Sequence, residues 1–200
     1  MEDVAERQVF RPTSGRVSGV LALLVGLGLA VLGLTTSGGV EWALVAVGVF
    51  VAVLAWAAML RPVVIVEDDR LVLRNMVDTV RIPLAAIEEI AVRQVLAVRV
   101  GERRFTSAAI GRSRRQIRRD DKLPGAGRDR SPVELAEDSY GMFVEDRIRT
   151  LSKQARERLG IAPFSDEQER LGAEVTKTPA VAEITGLAVP AVALVVLIVL

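Results

Sequence analysis

Cysteine and histidine are both missing from this chain of 200 residues, and aromatic residues make up only 4% of it. Without cysteine there is no disulfide framework and no thiolate nucleophile. Without histidine there is no Ser-His-Asp triad and no histidine-ligated metal site. Catalysis would have to rest on carboxylate, lysine, arginine, serine or tyrosine side chains, and we expect neither a metal nor a cofactor.

Neither sign of charge is in excess, because the basic and acidic residues nearly balance and leave a net charge of only +1. The chain therefore produces no long-range field that would attract nucleic acid. Its one strongly basic stretch also lacks interleaved aromatic side chains that could stack on bases. We expect no nucleic-acid partner.

Hydrophobic residues, in contrast, make up 50% of the chain and are concentrated towards its two ends. Two apolar stretches, about 17–36 and 41–60, are joined by a short turn at Gly38 and Gly39. About 20 apolar residues cross the hydrocarbon core of a bilayer, so the pattern predicts a transmembrane hairpin over 16–60. A signal peptide ending near Gly39 is less favoured, because no small-residue cleavage site precedes Glu41 and a second apolar stretch follows.

A third apolar stretch, 184–200, closes the chain. As a helix it would rise about 25 Å, slightly less than the thickness of the hydrocarbon core. Pro190 is expected to kink it. A buried helix of a soluble protein is the alternative, but the stretch has no polar face, so we predict a third transmembrane helix.

Basic residues flank the first two predicted spans and are missing from the turn between them. The positive-inside rule then places both flanks in the cytoplasm and the turn outside. The chain is thus expected to be a multi-pass protein of the cell membrane, with a cytoplasmic tail at 1–15 and its C-terminus outside. The arginines behind this orientation are Arg7, Arg11, Arg16, Arg61, Arg70 and Arg74.

Small residues recur at helical spacing along the first span and define a candidate helix-packing face. Small side chains let two helix backbones approach closely, and such packing drives helix association in lipid. The favoured interpretation is that this face packs on the second span, since antiparallel neighbours joined by a short turn meet by default. The alternative is a surface for another integral membrane protein or a second copy of the chain. The face consists of Gly19, Ala22, Gly26, Ala30 and Gly33.

Short runs of β-branched and apolar residues follow the hairpin, with no helical pattern between them. Asp68-Asp69 and Gly101-Glu102 are typical of tight hairpin turns. Successive strands of this kind indicate an antiparallel meander, sandwich or small barrel. The six predicted strands are 63–66, 71–73, 79–82, 87–92, 95–100 and 103–107.

A basic stretch at 111–130 separates the strands from the next helix. One interpretation is electrostatic contact with anionic membrane lipids, and the other is a solvated loop. The two interpretations carry similar weight. The candidate membrane-surface residues are Arg112, Arg114, Arg115, Arg118 and Arg119.

A capping box begins the predicted helix at 132–159. Ser131 stands at the cap, Pro132 at the first helical position and Glu134 three residues after the serine. An apolar stripe follows at helical spacing, and Gly160 ends the helix. A polar linker is expected over 161–183, with a short acidic helix in it.

The strand pattern and this helix resemble the bacterial PH-domain family, in particular the actinobacterial membrane-anchored branch named after low molecular weight protein antigen 6. The resemblance covers 61–160, about half of the chain. It lies in Val63–Glu67, Leu71–Asn75, Val80–Ile87, Glu134–Ala136 and Arg147–Arg158.

The resemblance implies an α+β fold, a PH-like roll or barrel of two packed antiparallel sheets with one C-terminal helix across an end. That fold has seven strands, so a seventh is expected between Phe105 and Ile110. Such folds are generally non-catalytic binding modules. The first hairpin, Glu67–Arg70, does not match the basic phosphoinositide signature of eukaryotic PH domains, so no head-group residues are assigned.

We therefore expect a membrane-anchored, non-catalytic interaction module that acts as a scaffold or accessory subunit of a membrane assembly at the cytoplasmic face. Its expected partners are membrane lipids and an integral membrane protein or a second copy. The alternative function is a sensor of anionic lipid surfaces that uses 111–130. An enzyme is not expected, because the carboxylate pairs Asp68/Asp69, Glu88/Glu89 and Asp120/Asp121 are sequence neighbours of the kind found in turns and on surfaces.

Overall fold

The computed structural model describes residues 7–11, 15–36, 38–111 and 132–199, with the side chains of 132–138 and 198 left aside. Its elements in chain order are β1 (Gln8–Phe10), α1 (Arg16–Thr35), α2 (Trp42–Ala55), β2 (Val63–Glu67), β3 (Arg70–Arg74), β4 (Asp78–Pro83), β5 (Glu89–Val92), β6 (Leu96–Val100), β7 (Arg103–Ser107), α3 (Pro132–Leu159), α4 (Asp166–Gly172), β8 (Thr176–Pro179) and α5 (Val181–Val199).

The chain divides into two compact units. The β module comprises Met1–Thr13, Val63–Asn75 and Thr79–Thr178. The helical unit comprises Ser14–Pro62, Met76–Asp78 and Pro179–Leu200. This combination of helices and antiparallel sheets confirms the mixed class expected from the sequence.

Two sheets form the β module. One has five strands in the order β1-β2-β3-β4-β8, and the other has three in the order β5-β6-β7. Both predicted hairpin turns are present, and Asp68, Asp69 and Gly101 adopt positive φ there. The left-handed conformation suits two-residue hairpins because its twist matches that of the flanking strands.

A single hydrophobic cluster fills the β module and contains residues from both sheets and α3. Leu71, Leu73 and Ile82 come from the larger sheet, Leu96 and Val98 from the smaller one. The helix contributes one stripe of its surface to the same cluster through Val144, Ile148 and Ala155. Alternation along the strands and helical spacing along α3 thus direct their apolar faces to one core.

The helical unit contains the three apolar stretches. Two helices, Arg16–Thr35 and Trp42–Leu60, are long and apolar enough to cross a bilayer. The last five residues of the second, Trp56–Leu60, form a π turn that the Arg61 amide closes by donating to the Trp56 carbonyl at 2.9 Å. The apolar part of α5, Val181–Leu197, is shorter than these two.

Three expected boundaries require correction. The predicted tail at 1–15 contains β1, which pairs antiparallel with β2 and buries Phe10 in the core. The predicted linker at 161–183 contains the expected short acidic helix, which is α4, and also the strand β8, which was not expected; α5 begins at Val181 rather than at 184. The additional strands of the larger sheet are therefore β1 and β8, whereas 108–110 form a turn instead of the expected seventh strand.

Candidate functional site

The backbones of α1 and α2 approach each other closely where the two helices cross. A Cβ atom built on Gly26 would lie 2.5 Å from the Ala52 nitrogen and 2.8 Å from the Gly48 oxygen. A Cβ atom on Gly48 would lie 2.6 Å from the Gly26 oxygen. No larger residue fits at either position, so these two glycines set the distance between the helices.

The predicted helix-packing face of α1 lies along this crossing. Gly19, Gly26, Ala30 and Gly33 are buried, and Ala22 is half-buried. A Cβ atom on Gly19 would meet the Met59 side chain at 2.8 Å, and one on Gly33 would meet Val45 at 2.9 Å. The face is thus occupied within the chain by the second helix.

The large apolar side chains of the same helix point away from the crossing. Leu21, Leu24 and Leu32 are 56–58% exposed. Only 17% of the apolar window of α1 is buried, and only 28% of that of the second helix. The core helix of a soluble protein would bury these residues, so the packing inside the helical unit is the reverse of a water-soluble core.

An ion pair joins α5 to the end of the second helix. The Arg61 Nε donates to the Glu183 Oε1 at 2.5 Å, and each side chain is only 13% exposed. Glu183 lies in the first turn of α5, where a carboxylate is favoured by the helix dipole. A carboxylate removed from water to this extent is costly unless a cation lies beside it, and Arg61 supplies that positive charge to Glu183.

The candidate binding site of the β module is a hollow of about 250 Å³ on the outer face of the small sheet. Its position follows from strand register. Ala91 pairs with Ala97, which in turn pairs with Thr106, so a row of short side chains crosses the sheet. The adjacent row runs from Glu89 to Arg99 and Arg104. Short side chains beside long ones leave the depression.

Three arginines surround this hollow, and we call it the arginine hollow. The residues that line it are Glu89, Ala91, Arg93, Val95, Ala97, Val98, Arg99 and Arg104. The Nε atom of Arg99 lies 3.3 Å from the Oε2 atom of Glu89 and 3.8 Å from the Oε2 atom of Glu88. Arg93 and Arg104 have no ion pair or side-chain hydrogen bond with any residue of the described ranges. The hollow therefore holds an excess of positive charge.

A second hollow, of about 240 Å³, is lined by Glu88, Glu102, Asp166 and Glu169 with Phe164 beside them. Within the described ranges no group of three or more acidic side chains is placed to hold a metal ion. Glu88 already accepts the Gly101 amide at 3.0 Å. This hollow accordingly offers no defined ligand position.

A buried polar cluster ties α3 and α4 to the turn between β4 and β5. The Ile87 carbonyl accepts Arg156 Nη1 at 2.7 Å and Gln168 Nε2 at 3.2 Å. Ser152 Oγ in turn accepts a second bond from the Arg156 Nη1 at 2.8 Å. These groups satisfy one another, and a satisfied buried network rigidifies a fold. Its role is to hold the helices in place.

The sequence did not single out the arginines of the hollow or the Arg61–Glu183 pair. The alternation of apolar and polar residues along β6 turns Arg99 outward, but the position of Arg93 and Arg104 beside it depends on how the strands pair. Glu183 was placed in a linker one residue before the predicted third span. The predicted membrane-surface residues lie outside the described ranges, as does the cap Ser131: Arg112, Arg114, Arg115, Arg118 and Arg119.

Comparisons of this chain with family models, with curated proteins and with solved structures find no match. No relative therefore assigns a ligand or an activity to the arginine hollow or to the helical unit. Function has to be inferred from the packing, charge and register of the chain's own residues.

Proposed function

We propose that this protein is a membrane-anchored, non-catalytic interaction module, a scaffold or accessory subunit of a membrane protein assembly at the cytoplasmic face. The observation that carries the proposal is the reversed packing of the helical unit, with glycine and alanine inside and leucine and valine outside. Water would disfavour that arrangement and lipid favours it, because lipid chains solvate apolar side chains and leave close backbone packing to hold the helices together.

The N-terminal helix is a permanent span rather than a removable signal segment in this proposal. Strand β1 precedes α1, and its residues Gln8–Phe10 pair with Val64–Val66 of β2, which follows the second helix. Cleavage after the first helix would remove an edge strand and the buried Phe10. Integration of the residues on both sides of α1 into one fold supports its retention.

The same pairing supports a common side for the two ends of the hairpin. The chain leaves the β module at β1 and returns to it at β2, so an even number of crossings separates the two strands. Arg7 and Arg61 flank the hairpin, and the turn between the helices carries no basic residue. The positive-inside rule places such flanks in the cytoplasm.

Helix α5 is the third span in this arrangement and places the C-terminus outside. Its nineteen residues rise about 28 Å, close to the thickness of the hydrocarbon core. Glu183 is the single ionisable residue in it, and its pairing with Arg61 keeps the charge compensated. Exposed valines along the helix, among them Val189 and Val192, would contact lipid chains.

The β module is PH-like in this proposal and acts by binding. Two antiparallel sheets and one long helix share its core, as expected for a PH-like roll. Surface ion pairs occupy several of its described charged groups, and three arginines lie at the arginine hollow. A protein surface with unpaired arginines suits recognition of a partner.

Single engineered cysteines test the membrane topology, and the absence of native cysteine makes every label interpretable. Gly38→Cys and Val199→Cys should react with a membrane-impermeant maleimide in intact cells. Glu102→Cys, in the exposed turn between β6 and β7, should react only after lysis. Labelling of Glu102→Cys in intact cells would refute the orientation, and release of the chain by alkaline carbonate would refute the anchor.

Blue-native electrophoresis of a mild-detergent extract tests the interaction role. We expect the full-length chain in a complex larger than the monomer, with a partner identifiable by mass spectrometry after purification. The cysteine variants above serve as controls for correct insertion. A correctly inserted chain that migrates only as a monomer would overturn the scaffold or accessory role while leaving the membrane topology intact.

A further inference from the structure

We infer that the arginine hollow is a docking site for an acidic polypeptide segment of a protein partner. The inference rests on the proposed function, because it names the chemistry that the interaction module would recognise. It requires three properties of the hollow: a size suited to one or two side chains, guanidinium groups without an ion pair to a described residue, and an apolar floor.

The size of the hollow suits single side chains better than a whole cofactor. Sites for whole cofactors and drug-sized molecules have volumes of about 300–1,000 Å³, whereas this hollow has about 250 Å³ and lies on an open sheet face. It is large enough for one or two side chains of a peptide. Aromatic groups that could stack on a base are missing from the eight residues that line it, which disfavours nucleic acid.

The charge of the hollow selects an anion. Arg93 and Arg104 are exposed and have no partner among the described residues, whereas Arg99 is already paired with Glu89 at 3.3 Å. A guanidinium presents a fork of donors that matches a carboxylate with two parallel hydrogen bonds. Neither guanidinium therefore has to give up an ion pair with a residue of the described ranges to receive an acidic side chain.

The floor of the hollow distinguishes a glutamate or aspartate side chain from a free inorganic anion. Ala91, Val95 and Ala97 supply apolar surface between the arginines, and Ala97 is only 8% exposed. The methylene groups of an acidic side chain would cover this surface while its carboxylate meets an arginine. A free phosphate would use the arginines and leave the apolar floor in contact with water.

The test uses the full-length protein in nanodiscs of zwitterionic phosphatidylcholine, which carry no competing anionic lipid. Its probe is a short fluorescein-labelled peptide of alternating glutamate and alanine, and binding is measured by fluorescence anisotropy at low and raised salt. A peptide of alternating glutamine and alanine is the neutral control. We expect binding of the acidic peptide alone, with weaker affinity as salt screens the charges.

Two variants address the hollow itself. Arg93→Gln/Arg104→Gln should weaken peptide binding about tenfold or more, because two charge-assisted hydrogen bonds are lost. Ala91→Leu fills the hollow without altering charge and should weaken binding as well. The matched control is Arg103→Gln/Arg170→Gln, which removes the same charge. Arg103 stacks on Phe105 and Arg170 lies on α4, so this control should bind like the unsubstituted protein.

Each remaining outcome overturns the assignment. Equal weakening by both double variants would mean that bulk charge attracts the peptide. Unchanged binding by Ala91→Leu would mean that the hollow is not occupied. Inorganic phosphate or phosphatidylglycerol vesicles that bind the protein more tightly than the peptide would identify a free anion or a lipid head group as the ligand.

The failure of this inference is distinguishable from failure of the proposed function. If Arg93→Gln/Arg104→Gln still recovers the native partner in full, the chain is an interaction module that docks through another surface. If the unsubstituted protein binds the peptide through the hollow but migrates as a monomer in native extracts, the site stands and the accessory-subunit role fails.

Discussion

The helical unit and the β module bury opposite kinds of residue. In α1 the buried positions are Gly19, Gly26, Ala30 and Gly33, while leucines and valines of that helix are exposed. In the β module the largest fully buried side chains include Ile82, Leu84 and Leu96, among other leucines, isoleucines and valines. One chain therefore contains two packing schemes, each suited to a different solvent.

The proposed membrane anchor implies that different forces stabilise the two units. The β module removes large apolar side chains from water, which contributes about 25 cal/mol per Å² of buried apolar surface. Lipid gives no such reward for burying a leucine, so helix association there depends on close backbone contact. Gly26 and Gly48 provide that contact. The same substitution is thus expected to change stability by different amounts in the two units.

The largest effect is expected from enlarging the crossing of α1 and α2. Gly26→Leu places a side chain where the Ala52 nitrogen and Gly48 oxygen already lie within 2.8 Å of a Cβ position. It should lower the free energy of unfolding by about 3 kcal/mol or more, the upper range for overpacking. Circular dichroism during thermal unfolding in mild detergent measures the loss.

The control for this prediction is Gly28→Leu, two residues along the same helix, where nothing lies within 4 Å of a built Cβ atom. Its effect should stay within about 0.5 kcal/mol, as for substitutions away from packed contacts. Equal destabilisation by both leucines would show that membrane insertion, rather than the crossing, determines stability, because leucine forms helices better than glycine does. The contrast between the two units would then lose its basis.

The next effect comes from one truncation made in both units. Leu96→Ala in the β module removes a side chain that is 0% exposed and should cost about 3 kcal/mol through lost burial and a cavity. Leu24→Ala in α1 removes one that is 57% exposed and should leave the unfolding midpoint nearly unchanged. A large loss from Leu24→Ala would mean that this side chain packs against protein instead of lipid.

The smallest effect is expected at the ion pair between α5 and the second helix. Glu183→Gln keeps a hydrogen-bond acceptor but removes the carboxylate charge that meets Arg61, and it should lower the free energy of unfolding by about 1–2 kcal/mol. Limited proteolysis of the C-terminal segment in detergent, alongside the unfolding midpoint, measures the docking of α5. The exchange Arg61→Glu/Glu183→Arg should recover part of the loss, and no recovery would show that the pair does not hold the helix.

Most elements of the fold followed from local patterns. Uncharged stretches of about twenty residues correspond to α1 and the second helix, alternation and turn residues to β2 through β7, and helical spacing to α3. The strands β1 and β8 were not predicted, because three or four residues are too few to show the alternating pattern of a strand. Thr176–Pro179 is exposed throughout and joins the sheet only because β4 offers it an edge.

The candidate site depended more heavily on long-range contacts. The spacing of three and four residues predicted the small-residue face of α1 from the sequence. The sequence did not decide whether the second helix or another molecule packs against that face. The arginine hollow could not be predicted from the sequence, because Arg93, Arg99 and Arg104 belong to different strands or turns. Their proximity exists only when β5, β6 and β7 pair in one particular register.

By itself the sequence determined which residues could face lipid and which could form a β-rich core, because hydropathy and periodicity are local properties of the chain. It also removed thiol and imidazole chemistry by composition. The tertiary structure brings Gly26 to Gly48 and Arg61 to Glu183, and it places Arg93 and Arg104 beside a floor of alanines. Such contacts join residues far apart in the chain, and their geometry is set by packing rather than by local preference.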